Sequence, residues 1–162
     1  MTARIVDAAD LDRFVRHARA SGQRIVFTNG VFDILHPGHV RYLQAAKSYG
    51  DLLIVGLNSD ASVRRNKGSD RPINPERERA EVLAALAAVD AVSIFDDDTP
   101  ADIISRVQPD ILVKGADWPA DQIVGRDTVE ARGGRVVLEP VEQGYSTSAI
   151  IEKVRRAARA DG

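Results

Sequence analysis

Two histidines stand three residues apart in the stretch TNGVFDILHPGH, which runs from Thr28 to His39. They are His36 and His39, and the whole chain contains three histidines. Because residues three apart on a helical turn share a face, both imidazoles can point at one object. An imidazole can donate an N–H to a phosphate oxygen in its neutral or its charged form. This spacing therefore favours an anion-binding pair at the start of a helix.

Metal binding and a purely structural role are the competing interpretations of the pair. Zinc sites usually use three or four ligands, whereas Asp33 is the one acidic residue of the stretch and no further soft ligand follows it. Pro37 is typical of a first helical turn, and Gly38 removes a side chain where a ligand could come close. The complete pattern therefore favours phosphate binding over both alternatives.

Apolar runs alternate with helical patterns along the rest of the chain. Five runs read as strands, RIVFT, DLLIVGLN, DAVSIF, DILVKG and RVVLEP. The polar, Gly- and Pro-containing stretch DASVRRNKGSDRPIN predicts a loop. The alternation predicts a single α/β domain over residues 1–162, a Rossmann-like, doubly wound parallel sheet of about five strands with helices on both faces. Ligands bind such sheets beyond the carboxyl ends of the strands, where TNGVFDILHPGH lies.

Composition excludes several classes of function. A formal net charge of −2 provides no basic field for nucleic acid or an anionic membrane. The absence of cysteine excludes a thiol nucleophile and a thiolate metal site, and it fits a reducing compartment. No apolar run approaches the roughly 20 residues of a membrane span, and the N-terminus is too polar for a signal peptide. We therefore expect a cytoplasmic protein without nucleic-acid or membrane partners.

The segments that follow the strands resemble the motifs of the HxGH nucleotidylyltransferases, in their cytidylyltransferase-like branch. The matching motifs are NGVFDILHPGH, AKSYGDLLIVGLNSD, RPINPERERAEVLAALAAVDAV, DILVKGADW and GYSTSAII, in family order from about Arg24 to Val154. Their particular variants are most similar to the heptose 1-phosphate adenylyltransferases. The resemblance implies AMP transfer from ATP to D-glycero-β-D-manno-heptose 1-phosphate, which yields ADP-heptose for lipopolysaccharide core biosynthesis. It also implies Mg²⁺ bound through the nucleotide phosphates, with no protein metal ligands, and a homo-oligomer is common among relatives.

The resemblance assigns three groups of residues by their positions in these motifs. The catalytic group is His36, His39 and Lys67. The nucleotide-binding group is Asn29, Gly30, Val31, Phe32, His36, His39, Arg79, Lys114, Gly115, Asp117, Ser146, Thr147 and Ser148. The group that meets the sugar phosphate is Asp33, Lys47, Asn58, Asp60 and Lys67.

Ordinary structural roles compete at several of these positions. Arg79 could pair with Glu76 or Glu78 instead of a phosphate, and Asp33 could stabilise a turn. For Trp118, packing is favoured over stacking on a base. Further alternatives are a solvated surface role for Lys47 or Lys67, a plain N-cap for Ser146, and capping of the following helix by Asp96 to Asp98.

Two other functions compete with the adenylyltransferase. The first is a cytidylyltransferase acting on glycerol 3-phosphate or another phosphorylated alcohol. It is disfavoured because PVEQGYSTS lacks the arginine that glycerol-phosphate cytidylyltransferases carry before this motif. The second is a non-catalytic nucleotide-binding module, which is least favoured because the histidines, the loop lysine and the STS motif are all present.

Overall fold

The computed structural model describes residues 4–162. Its elements are β1 (Arg4–Ile5), α1 (Ala8–Ala20), β2 (Ile25–Gly30), α2 (Pro37–Lys47), β3 (Leu52–Asn58), α3 (Asp60–Lys67), α4 (Glu76–Ala84), β4 (Ala91–Phe95), α5 (Ala101–Val107), β5 (Ile111–Gly115), α6 (Arg126–Glu130), β6 (Arg135–Glu139) and α7 (Thr147–Ala160). A short 3₁₀ turn, Ala120–Gln122, lies between β5 and α6.

All the strands of the sheet run parallel, in the order β1-β4-β3-β2-β5-β6. From β2 the chain first winds outward through β3 and β4, and then returns to place β5 on the other side of β2. The carboxyl ends of β2 and β5 therefore border the point where the winding reverses, which is where such sheets bind ligands. The predicted doubly wound α/β fold is confirmed.

Two apolar cores lie on opposite faces of the sheet. One contains Leu11 and Val15 of α1 together with Ile104 and Val129. The other contains residues of α2 and α4, with Leu43 and Leu83 fully buried. Both cores draw on nearly continuous apolar strands, as expected for a parallel sheet covered on both faces.

The structure differs from the sequence prediction at two elements. A sixth strand, β1, pairs with β4 through Arg4 and Ile5, which are both exposed and therefore give no hydrophobic pattern. Residues 60–67, predicted as part of a loop, form helix α3. The hydroxyl of Ser59 caps this helix by accepting a hydrogen bond from the N–H of Ser62 at 3.1 Å.

Within residues 4–162, no helix combines the length and the apolar character needed to cross a membrane.

Candidate active site

A cleft of about 950 Å³ opens at the carboxyl ends of β2 and β5. Most of the residues that the sequence assigned to the site line it, namely Asn29, Gly30, Val31, Phe32, Asp33, His36, His39, Asn58, Lys67, Lys114, Gly115, Asp117, Ser146, Thr147 and Ser148. These residues come from segments far apart in the chain, which meet because parallel strands end at one edge of the sheet. Lys47, Asp60 and Arg79 do not line this cleft.

His36 and His39 form a stacked pair at the start of α2. Their ring centroids lie 3.8 Å apart, with 21° between the ring planes. The Nδ1 atoms of both rings are buried and have no hydrogen-bond partner among the described residues. Nε2 is therefore the ring nitrogen left to meet a ligand, and the stack directs both histidines at one place.

Burial keeps this pair in the neutral form. Desolvation and then the charge of His36 lower the pKa of His39 to about 4. Desolvation also lowers the pKa of His36 below its usual 6.5. Near neutral pH both imidazoles can donate one N–H to a phosphate without carrying a charge.

The loop between β2 and α2 is held in an unusual conformation beside the histidines. Phe32 has a φ of +46°, in the left-handed region that non-glycine residues rarely adopt. Its buried ring meets His39 edge-on, with centroids 5.4 Å apart. At Gly30 a Cβ atom would come within 2.9 Å of the Phe32 ring, so the glycine is needed for this packing.

Asp33 joins this loop to the segment that precedes α4. The residue is 4% exposed, and its carboxylate accepts hydrogen bonds from the backbone N–H of Ile73 at 2.7 Å and of Asn74 at 2.8 Å. The guanidinium of Arg71 adds a contact at 3.3 Å. Asp33 thus has the stabilising role that the sequence left open, although its partners are distant in the chain. Its contact with substrate stays a prediction.

Arg79 is a buried clamp between three loops. The side chain is inaccessible to solvent, and its guanidinium donates to the carbonyl oxygens of Asn74, Val31 and Asn58 at 2.7–2.9 Å. It also pairs with the carboxylate of Asp60 at 2.8 Å. Glu76 and Glu78, the neighbouring acids that the sequence suggested, do not accept from these donors, and the contact with a phosphate stays a prediction. The guanidinium instead fixes the backbone on which the cleft is built.

Two of the lysines assigned to the site, Lys67 and Lys47, lie in different parts of the structure. Lys67 ends α3 and lines the cleft. Lys47 ends α2, where its ammonium group contacts Asp90 and the carbonyl of Asp51 at 2.5 Å each. The structure does not bring Lys47 to the cleft, because the length of α2 carries it to the opposite edge of the sheet.

The acidic run after β4 supports α3 rather than the helix that follows it. Asp98 accepts a hydrogen bond from Nε of Arg65 at 2.7 Å, and Asp96 accepts one from the hydroxyl of Ser59. Of the neighbouring residues, Thr99 makes only a 3.5 Å contact with the N–H of Ala101. The expectation that these acids mainly cap the following helix is therefore wrong for Asp96 and Asp98.

At the end of β5, Lys114 and Trp118 reach the cleft in different ways. The ammonium group of Lys114 donates to Oδ1 of Asn29, and burial lowers the pKa of this lysine to about 8. No carboxylate of the described residues lies within 4 Å of it, so Lys114 is a largely buried cation without a counter-ion. Trp118 is 55% exposed and lines the cleft, so it is less buried than the favoured packing role suggested, and its stacking on a base stays a prediction.

The start of α7 forms the remaining wall. The hydroxyl of Ser146 caps the helix by accepting a hydrogen bond from the N–H of Ala149 at 3.0 Å. Thr147 donates to the carbonyl of Ile34 at 3.2 Å and so ties α7 to the histidine loop. Ser146 therefore has the capping role that the sequence left open. Ser148 is exposed beside the cleft.

Several residues of the cleft escaped the sequence assignment. Tyr145, Asn66, Thr99, Ile123 and Val124 all line it. Tyr145 stands next to the STS motif, and its place just before the last helix was the available signal. The other four lie several residues after the end of a strand, and no sequence motif includes them.

The chain is similar to several known proteins. Residues 27–153 match the family model described as cytidylyltransferase-like. The bifunctional protein HldE of Bradyrhizobium diazoefficiens is 56% identical over 155 residues, which are 96% of this chain and 31% of that protein. HldE of Geotalea uraniireducens is 54% identical over 153 residues, covering 94% of this chain and 31% of that protein. The chain thus spans about a third of the length of these relatives.

Solved structures show the same fold. A lipopolysaccharide core biosynthesis protein from Thermoplasma volcanium is 32% identical with a TM-score of 0.62, and the match covers 77% of this chain and all of that one. A pantoate-beta-alanine ligase from Francisella tularensis has a TM-score of 0.63 at 15% identity, over 88% of this chain and 68% of that one. The second likeness shows the fold alone.

Proposed function

The chain belongs to the cytidylyltransferase-like family, and we propose that it transfers AMP from ATP to D-glycero-β-D-manno-heptose 1-phosphate. The products would be ADP-heptose and pyrophosphate, for lipopolysaccharide core assembly. The stacked pair of neutral histidines in the cleft carries the chemical part of this proposal. The choice of sugar is supported by the motif variants and by the Thermoplasma relative, whose name refers to lipopolysaccharide core biosynthesis.

The reaction needs little acid–base chemistry. An oxygen of the sugar phosphate forms a bond to the α-phosphorus of ATP, and the bond from that phosphorus to the bridging oxygen breaks to release pyrophosphate. The second pKa of a phosphomonoester is about 6, so the nucleophile is already ionised at neutral pH. The obstacle is the repulsion between two highly charged phosphates, so catalysis consists of in-line positioning and charge stabilisation.

The residues of the cleft suit that task. His36 and His39 would donate their N–H groups to oxygens of the α-phosphate and of the departing pyrophosphate, where charge grows in the transition state. Lys67 and Lys114 would supply positive charge from two sides of the cleft. We also propose Ser148 and the hydroxyl-rich start of α7 as a binding place for the terminal phosphates, because the N–H groups of a first helical turn favour anions.

Mg²⁺ fits this arrangement as an ion carried on the nucleotide. Within the described part of the chain, no three His, Asp or Glu side chains come together as metal ligands. The carboxylate of Asp33 already accepts bonds from Ile73 and Asn74. The phosphates would therefore supply most of the ligands, and the ion would neutralise their charge when bound. Since ATP is a cytoplasmic metabolite, we propose the cytoplasm as the compartment.

The test is pyrophosphate release with Mg²⁺, run with ATP and with CTP against the heptose 1-phosphate and against glycerol 3-phosphate. We expect release only with ATP plus the heptose 1-phosphate, and ADP-heptose in the product. A His39→Gln variant should lose about 10²- to 10³-fold in kcat, the typical effect of removing one donor to a developing charge. Near-normal turnover in that variant would refute the role of the histidines.

Cytidylyl transfer is the second candidate, because the matching family model is described by that activity. Pyrophosphate release with CTP, or only with glycerol 3-phosphate, would support the same transfer mechanism with substrates other than ATP and the heptose 1-phosphate. Nucleotide binding without release under every condition would instead support a non-catalytic module.

A further inference from the structure

His36 lacks the hydrogen bond that usually orients a functional histidine. In most sites the second ring nitrogen donates to a carbonyl or a carboxylate, which fixes the direction of the ring. Here Nδ1 of His36 is buried and has no partner among the described residues. The residue also stands at the N-cap of α2 without a capping bond from its side chain. Among the described residues, contacts with other rings rather than a hydrogen bond at Nδ1 restrain this ring.

The ring of His36 contacts two other rings. His39 stacks on it with 3.8 Å between the ring centroids, and Tyr145 lies nearly parallel to His36 with 16° between the planes and 5.9 Å between the centroids. Phe32 in turn meets the ring of His39 edge-on. Offset and parallel aromatic rings attract one another at such distances, and each contact restricts the tilt of its neighbour.

Tyr145 is itself held from the side of α2. The guanidinium of Arg41 lies 5.6 Å from the centroid of the Tyr145 ring, a cation–π contact. Arg41 also forms an ion pair with Glu142, which belongs to the same segment as Tyr145. This segment, residues 140–146, connects β6 to α7 and is called the β6–α7 segment below.

Gly38 allows the β6–α7 segment to come this close. A Cβ atom on Gly38 would lie 3.0 Å from the Cβ of Tyr145 and 3.0 Å from the ring of His36. A side chain at position 38 would therefore crowd both His36 and Tyr145, and one of them would have to shift. Gly38 of the HPGH stretch is thus favoured because it leaves room for Tyr145, which lies more than 100 residues later in the chain.

We propose that Tyr145 is a positioning residue that holds the imidazole of His36 in its working orientation by ring stacking. The β6–α7 segment, latched by Arg41 and Glu142, must then be in place for the transfer step. Because Ser146 follows Tyr145 directly, the same segment fixes both the orientation of His36 and the position of the start of α7. The kinetic part of this proposal rests on the proposed function, whereas the orientation of His36 can be measured without turnover.

The experiment compares Tyr145→Leu with Tyr145→Phe. Leucine removes the aromatic ring, whereas phenylalanine keeps the ring and removes only the hydroxyl, so it is the matched control. Losing one aromatic contact should lower kcat about five- to tenfold in the leucine variant, with KM for ATP changing less than about twofold. Phenylalanine should restore kcat to within about twofold of the wild type.

NMR of the histidine side chains measures the environment of His36 without any turnover. The chain has three histidines, and a His36→Gln variant assigns the His36 signals. In Tyr145→Leu the ring protons of His36 should shift, and its pKa, which burial lowers in the wild type, should rise toward 6.5. In Tyr145→Phe both should stay at their wild-type values.

Three results would overturn the proposal. They are unchanged His36 signals in Tyr145→Leu, equal losses in the leucine and phenylalanine variants, and a rise in KM with unchanged kcat. If the wild type transfers no AMP while the His36 signals respond as expected, the proposed function fails and the positioning role stands. Tyr145 is 37% exposed, so both variants should fold, and a thermal melt checks this.

Discussion

The Arg79→Met variant tests whether Arg79 stabilises the fold or contacts a ligand. The buried guanidinium donates to the carbonyls of Asn74, Val31 and Asn58 and to the carboxylate of Asp60. Methionine fills much of the space of the side-chain stem but supplies no donor. Three carbonyl oxygens and one carboxylate would then lose their partner in a poorly hydrated place. Breaking a buried charge pair in this way costs about 3–5 kcal/mol, and we expect that loss in the free energy of unfolding.

Urea unfolding, followed by circular dichroism, measures this loss. With a slope of about 2 kcal/mol per molar urea, the midpoint should fall by about 1.5–2.5 M. Arg77→Met is the matched control, because Arg77 lies exposed on the same helix and should lose less than about 0.5 kcal/mol. A variant at position 79 that unfolds like the wild type but binds ATP about tenfold more weakly would refute the clamp and favour a phosphate contact.

Three further predictions concern the cleft. His39 has a pKa of about 4 when folded and about 6.5 when unfolded, so the unfolded chain binds more protons in between. Urea stability should therefore fall as the pH drops from 6.5 toward 4, and His39→Gln should flatten that slope. Lys114 loses its charge above a pKa of about 8, so ATP affinity measured by calorimetry should fall above that pH, and in Lys114→Met it should be weak throughout. Trp118 is the only tryptophan, so ATP should change its fluorescence, and an unchanged spectrum would place the base elsewhere.

Local patterns made the sheet and the position of the cleft predictable. The apolar runs of β2 to β6 are long and bounded by polar segments, and a parallel sheet brings all their carboxyl ends to one edge. β1 was missed because its two residues are exposed and are held only by pairing with a distant strand. α3 was missed because the glycine and prolines that follow it hid the Ser59 cap, and because Val63 is its single buried apolar residue.

Side-chain partners across loops could not be predicted from local patterns. Arg79 contacts the carbonyl of Val31 across 48 positions of sequence, and Asp33 contacts Ile73 across 40. Local rules offered only the nearest charges, such as Glu76 and Glu78, as alternatives. Trp118 shows the same limit, because whether a large aromatic is packed or exposed depends on which segments fold over it.

Two buried charged residues, Arg79 and Asp33, fix the loop that leads to the histidines. Phe32 occupies a costly left-handed conformation that persists only if both sides of its loop are fixed. Arg79 holds the carbonyl of Val31 on one side, and Asp33 holds the loop to Ile73 and Asn74 on the other. Donors aimed at developing charge are effective when they need not reorganise during the reaction. Arg79 and Asp33 would then act on phosphate indirectly, by keeping His36 and His39 stacked before any ligand arrives.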